Sequence, residues 1–307
     1  MKEDIILTVE ESDNTQWRMT KLSEEQIRYA REFSEKIDIT NKVMVLQYGS
    51  LPQNKVKIFS ESSLLSVPSA DMNEISEDIT KLIRRQNEFR TAFRRRNTDS
   101  QSPKEAFDSF RVIYDRFSAS MSETARRLEI HRSSLLRHIT RLDVLYDQCM
   151  QFIREFDMYI YAGKSRLKSC RETTLKELTE KAARTGFLED TIAAEDYREA
   201  CDMFEKKLGD LSVSRALPLQ VMTQIKLIQN TDKMTAENLR RLGSDTFTLY
   251  RNRILLASGL QKEDRVIDPQ LFEETNDDLL SALQAVLRTQ KQGMEDQRKG
   301  LSLFRNQ

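Results

Sequence analysis

Three cysteines, two histidines and one Gly-Lys-Ser run are the residues of this 307-residue chain best suited by type and spacing to chemistry. Ala162-Gly163-Lys164-Ser165 ends like a phosphate-binding loop, in which backbone N–H groups and a lysine cradle phosphate oxygens. That loop needs a glycine five residues before Gly163, where Met158 stands, and a strand ahead of it, where the apolar spacing is helical. Gly163 is instead expected where a partner helix comes close. His131 and His138 are seven apart, about 10 Å along one helix face, too far to hold one metal unaided. Each is expected to meet a polar partner, and no metal site or cofactor is expected. No Ser, His and Asp or Cys and His arrangement points to nucleophilic catalysis, so no catalytic residue is assigned. Direct thiol chemistry would want an exposed thiolate with a resolving thiol nearby. Cys149 and Cys170 lie about 31 Å apart along one rod, so they cannot pair and are expected to be buried. Cys201 is expected to be part-exposed. An odd number of cysteines without a CxxC pair fits a reducing, cytoplasmic compartment.

A second kind of chemistry resides in KLIRRQNEFRTAFRRRN, which holds Lys81, Arg84, Arg85, Arg90, Arg94, Arg95 and Arg96 against one acid, Glu88. Cations at a helix C-terminus are favourable through the dipole alone, by about 0.3–1 kcal/mol each. The same cluster, with Phe89 and Phe93 interleaved, could bind an anionic membrane surface at the inner face of the membrane. The chain as a whole carries 49 basic and 49 acidic residues, so it gives no strong nucleic-acid signal. No apolar run reaches the roughly 18 residues of a membrane span, and the acidic start MKEDIILTVEESDN is unlike a signal peptide.

The elements that must position these residues are helices. Gly and Pro number 8 and 5, too few for the many turns of a sandwich, barrel or α/β fold. Ser23 with Gln26 forms a capping-box pattern, and Ile27, Ala30, Phe33 and Ile37 follow at steps of three and four. Thr40 or Asn41 can cap a short helix stopped by Gly49. Pro52 suits the first turn of a third, and Asp71 can cap a longer one ending at Arg94-Arg95-Arg96. The polar stretch 97–103 reads as a linker. Beyond it Leu135, Ile139, Leu142, Tyr146, Cys149, Ile153, Phe156, Ile160, Gly163, Leu167 and Cys170 alternate steps of four and three, a coiled-coil seam about 54 Å long. Leu145, Phe152 and Tyr159 widen that stripe, which implies several partner helices, supplied within the chain or by a homo-oligomer. The rod is expected from Pro103 to near Arg184 and to stop at Gly186. Later helices are expected over 190–217, over 219–260 with Pro218 as a break, and from Pro269 to a frayed end. The expected fold is all-α: an elongated bundle of long amphipathic helices with coiled-coil-like packing and a set of shorter N-terminal helices. Its regions are a polar tail (1–20), short helices (21–98) and a long-helix bundle (103–302).

Three blocks carry a resemblance. The first is Ile37-Asp38 followed by VLQYGSLPQNKVKIFSESSL, with Asp38, Tyr48, Gly49, Gln53, Phe59, Ser60 and Leu64 matching. The second is HRSSLLRHITRLDVLYDQCMQFIREFDMYIYAGK, with Leu135, Leu136, Leu142, Asp143, Leu145, Tyr146, Tyr159, Ile160, Ala162, Gly163 and Lys164 matching. The third runs from Gln224 through Gln229 and Asn230, with the later LYRNRILLA. In this order they resemble the TelA family of toxic anion (tellurite) resistance proteins. Thr223, Arg137-His138, Cys149 and Tyr250-Arg251-Asn252-Arg253 depart from the family pattern, which marks a divergent member. The resemblance implies a part in tellurite or envelope-stress resistance and supplies no catalytic residue. The leading expectation is a non-enzymatic interaction protein, with an XpaC-like protein as a partner the resemblance makes plausible. The alternatives are a peripheral membrane scaffold using the basic segment, and direct oxyanion sequestration or thiol-dependent tellurite detoxification. Asp143-Tyr146 and Gln229-Asn230 are expected to form a buried polar network between long helices.

Overall fold

The computed structural model describes residues 22–61, 69–96, 103–258 and 268–305, with side chains over 22–59, 72–95, 108–258 and 268–295. The expected tail, nearly all of the linker, Leu64 and the side chains of Ser60, Asp71 and Arg96 lie outside these. The elements are α1 (Glu24–Glu35), α2 (Lys42–Gln47), α3 (Ser50–Glu61), α4 (Ser69–Arg96) and α5 (Pro103–Cys170). A π-helical stretch, Arg171–Leu175, leads into α6 (Lys176–Thr185), followed by α7 (Leu188–Ser214) and α8 (Ala216–Arg240). A second π stretch, Arg241–Thr246, joins α8 to α9 (Phe247–Ala257), and α10 (Pro269–Arg305) ends the order. No strand occurs among the described residues, and the fold is an all-α bundle of a few long helices.

The boundaries follow local chemistry. Ser23 Oγ accepts from Gln26 N–H while Gln26 Oε1 accepts from Ser23 N–H, the reciprocal capping box expected at α1. Asn41 Oδ1 accepts from the N–H groups of Val43 and Met44 and starts α2. Asp268 Oδ1 does the same for Leu271 at α10. Gly186, at φ 67°, closes α6 in the left-handed conformation that glycine adopts without a Cβ clash. Several boundaries differ from expectation. The break ahead of α8 falls at Arg215, so that Pro218 lies in the first turn of α8, and π stretches interrupt the expected rod from Pro103 to near Arg184 and the expected helix over 219–260. Helix α4 begins at Ser69, ahead of Asp71, and α10 stays helical through its polar end to Arg305.

The chain divides into two compact units, each made of separated stretches: 1–63 with 145–223, and 64–144 with 224–307. In the first unit α7 lies antiparallel to the second part of α5. Asp157 of α5 pairs with Arg215 just past α7, whereas Arg171 at the far end of α5 pairs with Asp202 and Glu205. Helices α1 to α3 close this pair over a core of Ile37, Val45, Tyr48, Phe156, Phe204 and Leu208. The second unit packs α4, the first part of α5, the α8–α9 path and α10. Its centre is aromatic: Phe93 stacks on Phe272 at 3.5 Å between ring centroids, and Phe89 on Phe117 at 5.0 Å. Each such ring taken from water contributes about 1.5–3 kcal/mol.

Candidate functional site

In the first unit the corner between α2 and α3 gathers most of the first motif block and the C-terminal part of the second, from Tyr159 to Lys164. Gly49 takes φ +71° and makes the corner; a Cβ there would lie 2.3 Å from Leu211 Cδ2. Tyr48 is thereby turned inward. Its hydroxyl donates to the carbonyl of Tyr159 at 2.6 Å, and its ring meets Tyr159 and Phe204 edge-on at 5.5 and 5.1 Å. Burial pushes the Tyr48 phenol well above its usual range, so it remains a neutral donor. Gly163 faces this ring: a Cβ on it would meet Leu208 Cδ2 at 2.4 Å and Tyr48 Oη at 3.2 Å. The sequence expectation of close helix approach at Gly163 is met. Gln53 Nε2 donates to Ser214 Oγ at 2.8 Å, and Phe59 packs edge-on against Phe152. Asp38 stays exposed and accepts from Thr40 N–H and Oγ1–H, bonds that hold its carboxyl below the usual carboxylate value. Arg166 Nε donates to the Ile37 carbonyl at 2.9 Å, tying the same loop to α5. Lys164 is half-buried near Glu205.

The other motif positions fall elsewhere. Asp143, Gln224, Gln229 and Asn230 belong to the second unit, whereas Tyr146 belongs to the first. Gln229 Nε2 donates to Asp143 Oδ1 at 2.7 Å and to the Ile139 carbonyl at 3.3 Å, a polar link between the long helices in which Asp143 is exposed rather than buried as expected. Asn230 is exposed, and Gln224 and Tyr146 are half-buried. One turn further on, His138 Nδ1 meets Asp232 Oδ2 at 2.6 Å with both side chains buried. His131 Nε2 lies 3.5 Å from Asp78, which Arg127 also approaches at 3.0 Å. Both histidines therefore have the polar partners expected of them. Gln86 and Tyr250 bond to Asn276, and Gln290 reaches Ser76 and the Met72 carbonyl. Sequence reasoning missed Asp157, Arg215, Asp78, Asp232, Asn276 and Gln290. An Asp or Gln at a core-facing helical step was the signal that could have marked them.

The basic segment is engaged with carboxylates and hydroxyls. Arg90 pairs with Glu273 and Asp277, Arg94 chelates Glu273, Arg84 pairs with Glu88, and Arg85 bonds to Ser120. The Arg94 and Arg90 hydrogen bonds hold the Glu273 carboxyl below its usual value. Arg95 is exposed and also has an interaction.

All three cysteines are buried, Cys201 completely, which corrects the expectation that it is part-exposed. The helical step that places Phe204 and Leu208 inward does the same for Cys201, three residues before Phe204 on the same three-four stripe. Burial raises the Cys149 thiol to about 11 and raises Cys201 as well, the reverse of an activated thiolate. Beside the corner, a cleft of about 380 Å³ opens between α2 and α7, lined by Ile39, Thr40, Lys42, Val45, Asp196, Tyr197, Glu199 and Met203 among others. No cluster of three or more potential metal ligands occurs among the described residues. No described helix is long and apolar enough to cross a membrane.

Comparison with known proteins gives the same relationship that the motif blocks indicate. The model of the toxic anion resistance protein (TelA) family matches residues 30–297. A TelA-like protein of Staphylococcus epidermidis is 26% identical over 282 residues, covering 87% of this chain and 73% of the relative. A TelA-like protein of Staphylococcus aureus is 26% identical over 294 residues, covering 93% and 77%. An uncharacterized protein of Listeria monocytogenes is 28% identical over 286 residues, covering 91% and 72%. No solved structure matches. With the match reaching from α1 into α10, and so through both units, the chain belongs to the TelA family of toxic anion resistance proteins.

Proposed function

We propose that this protein contributes to toxic anion resistance as a non-enzymatic helical interaction protein, and that the α2–α7 face of its first unit takes the protein partner. The observation that carries this reading is apolar exposure on a chain that is 32% charged. Val43 and Leu46 on α2 are 62% and 65% exposed and Ile192 on α7 is 46% exposed, on the two helices that wall the cleft, and Met203, 38% exposed, lines the cleft itself. Large apolar side chains exposed on adjoining helices mark interaction surfaces more often than scattered single ones do. The peripheral-membrane reading draws less support, because Arg90 and Arg94 are already paired with Glu273 and Asp277.

The test is growth of a strain lacking the protein across a tellurite dilution series. The strain is restored with the wild-type copy or with Leu46→Glu plus Ile192→Glu. Restoration by the wild type, and failure of an equally abundant and helical double variant, is expected. Full restoration by the double variant would remove this face from the reading. Catalytic loss of tellurite in the presence of the purified protein would remove its non-enzymatic part.

A further inference from the structure

We infer that the α2–α7 cleft of one copy takes the outward face of α5 from a second copy of this chain, which rests on the partner reading above and names the partner. Two surfaces of opposite charge carry it. In the cleft, Val45, Tyr197 and Met203 supply apolar lining, while Asp196 and Glu199, three apart and so on one face of α7, line it with carboxylates. Both acids are exposed, and neither has an ion pair among the described residues. Lys42 is the only cation of the residues lining it. The other surface belongs to the second unit, on the side of α5 turned away from the buried Leu128, Leu135 and Leu142. Ile130, Arg137 and Val144 follow there at steps of seven, with Leu136, Thr140 and Arg141 between them, and all six are exposed. Asp143, the one acid between Ile130 and Val144, is engaged by Gln229. Arg137 and Arg141 have no ion pair among the described residues.

Shape and spacing agree with charge. Side chains three or four apart on a helix stand about 5–6 Å from each other at Cβ, so the two carboxylates and the two guanidiniums have matching spans. The cleft's volume of about 380 Å³ holds several side chains rather than a whole helix, which suits the outer face of a helix already packed in a bundle. Opposite potentials on two such surfaces steer encounter and fix register. Both surfaces are exposed in the single chain, which leaves each open to a second copy. The contact joins two different patches, so every copy carries one of each.

The probe is the purified full chain itself, followed by sedimentation velocity across a dilution series at low and at high salt. The weight-average mass is expected to rise above that of one chain as concentration grows, and to rise less at high salt, which screens exposed charges. Asp196→Arg with Glu199→Arg turns the cleft basic, and Arg137→Glu with Arg141→Glu turns the α5 face acidic. Each reversed chain alone should stay monomeric. An equal mixture of the two should form two-chain complexes, because one brings the native face and the other the native cleft. Where a reversal unfolds by circular dichroism, the neutral pair Asp196→Asn with Glu199→Gln, or Arg137→Gln with Arg141→Gln, replaces it and should weaken assembly several-fold. A wild-type chain that stays monomeric throughout, a reversed or neutral chain that assembles as the wild type does, or a mixture of reversed chains that stays monomeric would overturn the inference. If the wild type stays monomeric while growth on tellurite still requires the α2–α7 face, the partner is another protein and the reading above stands. Assembly together with full restoration by Leu46→Glu plus Ile192→Glu is the opposite case.

Discussion

Asp157 and Arg215 show how sharply a single side chain can matter in the first unit. Their carboxylate and guanidinium meet at 2.5 and 3.1 Å with almost no exposure. Removing one partner strands the other charge, so Asp157→Ala is expected to lose about 3–5 kcal/mol in urea unfolding. Asp157→Leu with Arg215→Met should lie much nearer the wild type, because the pair's own desolvation then disappears as well. A second comparison concerns two glycines. Gly49→Ala adds a Cβ against Leu211 and also forces alanine into a left-handed conformation, about 1–2 kcal/mol by itself. Gly163→Ala keeps helical backbone and meets the flexible end of Leu208, so its melting temperature should fall less. Gly49, Gly163 and Tyr48 were legible because a corner and a close approach leave few alternatives at those spacings. Asp157 and Arg215 were not, since among so many charged residues a buried one is written with the same letter as an exposed one.

Helix ends were the most readable elements. Ser23, Asn41, Gly186 and Pro269 each stand where backbone N–H or C=O groups need a partner or where the chain must leave the helix. What α4 does was less readable, because Glu273 and Asp277, which neutralise its arginines, lie far away in sequence on α10. That contact sets an acid response. A carboxyl whose folded value is lowered stabilises fully above its unfolded value, near 4.5 for Glu273, and that contribution is lost as pH falls through the lower folded value. Glu273→Gln should therefore flatten the dependence of stability on pH below about 4.5 while leaving its slope near neutrality unchanged, measured by thermal melts across pH. Liposome sedimentation addresses the same helix. If Arg94, Arg95 and Arg96 bind an anionic surface, their joint change to Ala should weaken retention on anionic vesicles; equal retention would leave that idea without support.

Each compact unit is assembled from two pieces of chain that alternate along the sequence. Helical periodicity could reveal the amphipathic stripes but not which stripe covers which, because a stripe records that a partner exists and not its address. The alternation predicts that a fragment starting at residue 103 loses α1 to α3 from one unit and α4 from the other. Such a fragment should melt without a cooperative transition in calorimetry, whereas the full chain should show one or two. The two π stretches, Arg171–Leu175 and Arg241–Thr246, fall one in each unit. A wider turn of this kind holds one residue more than an ordinary turn and absorbs it locally, so losing that residue would restore regular winding while the downstream faces stay close to their present directions. Homologous chains one residue shorter at either stretch would then keep the same core contacts beyond it. An alignment gap there would record an insertion that the helix took up without turning the surface it offers for recognition.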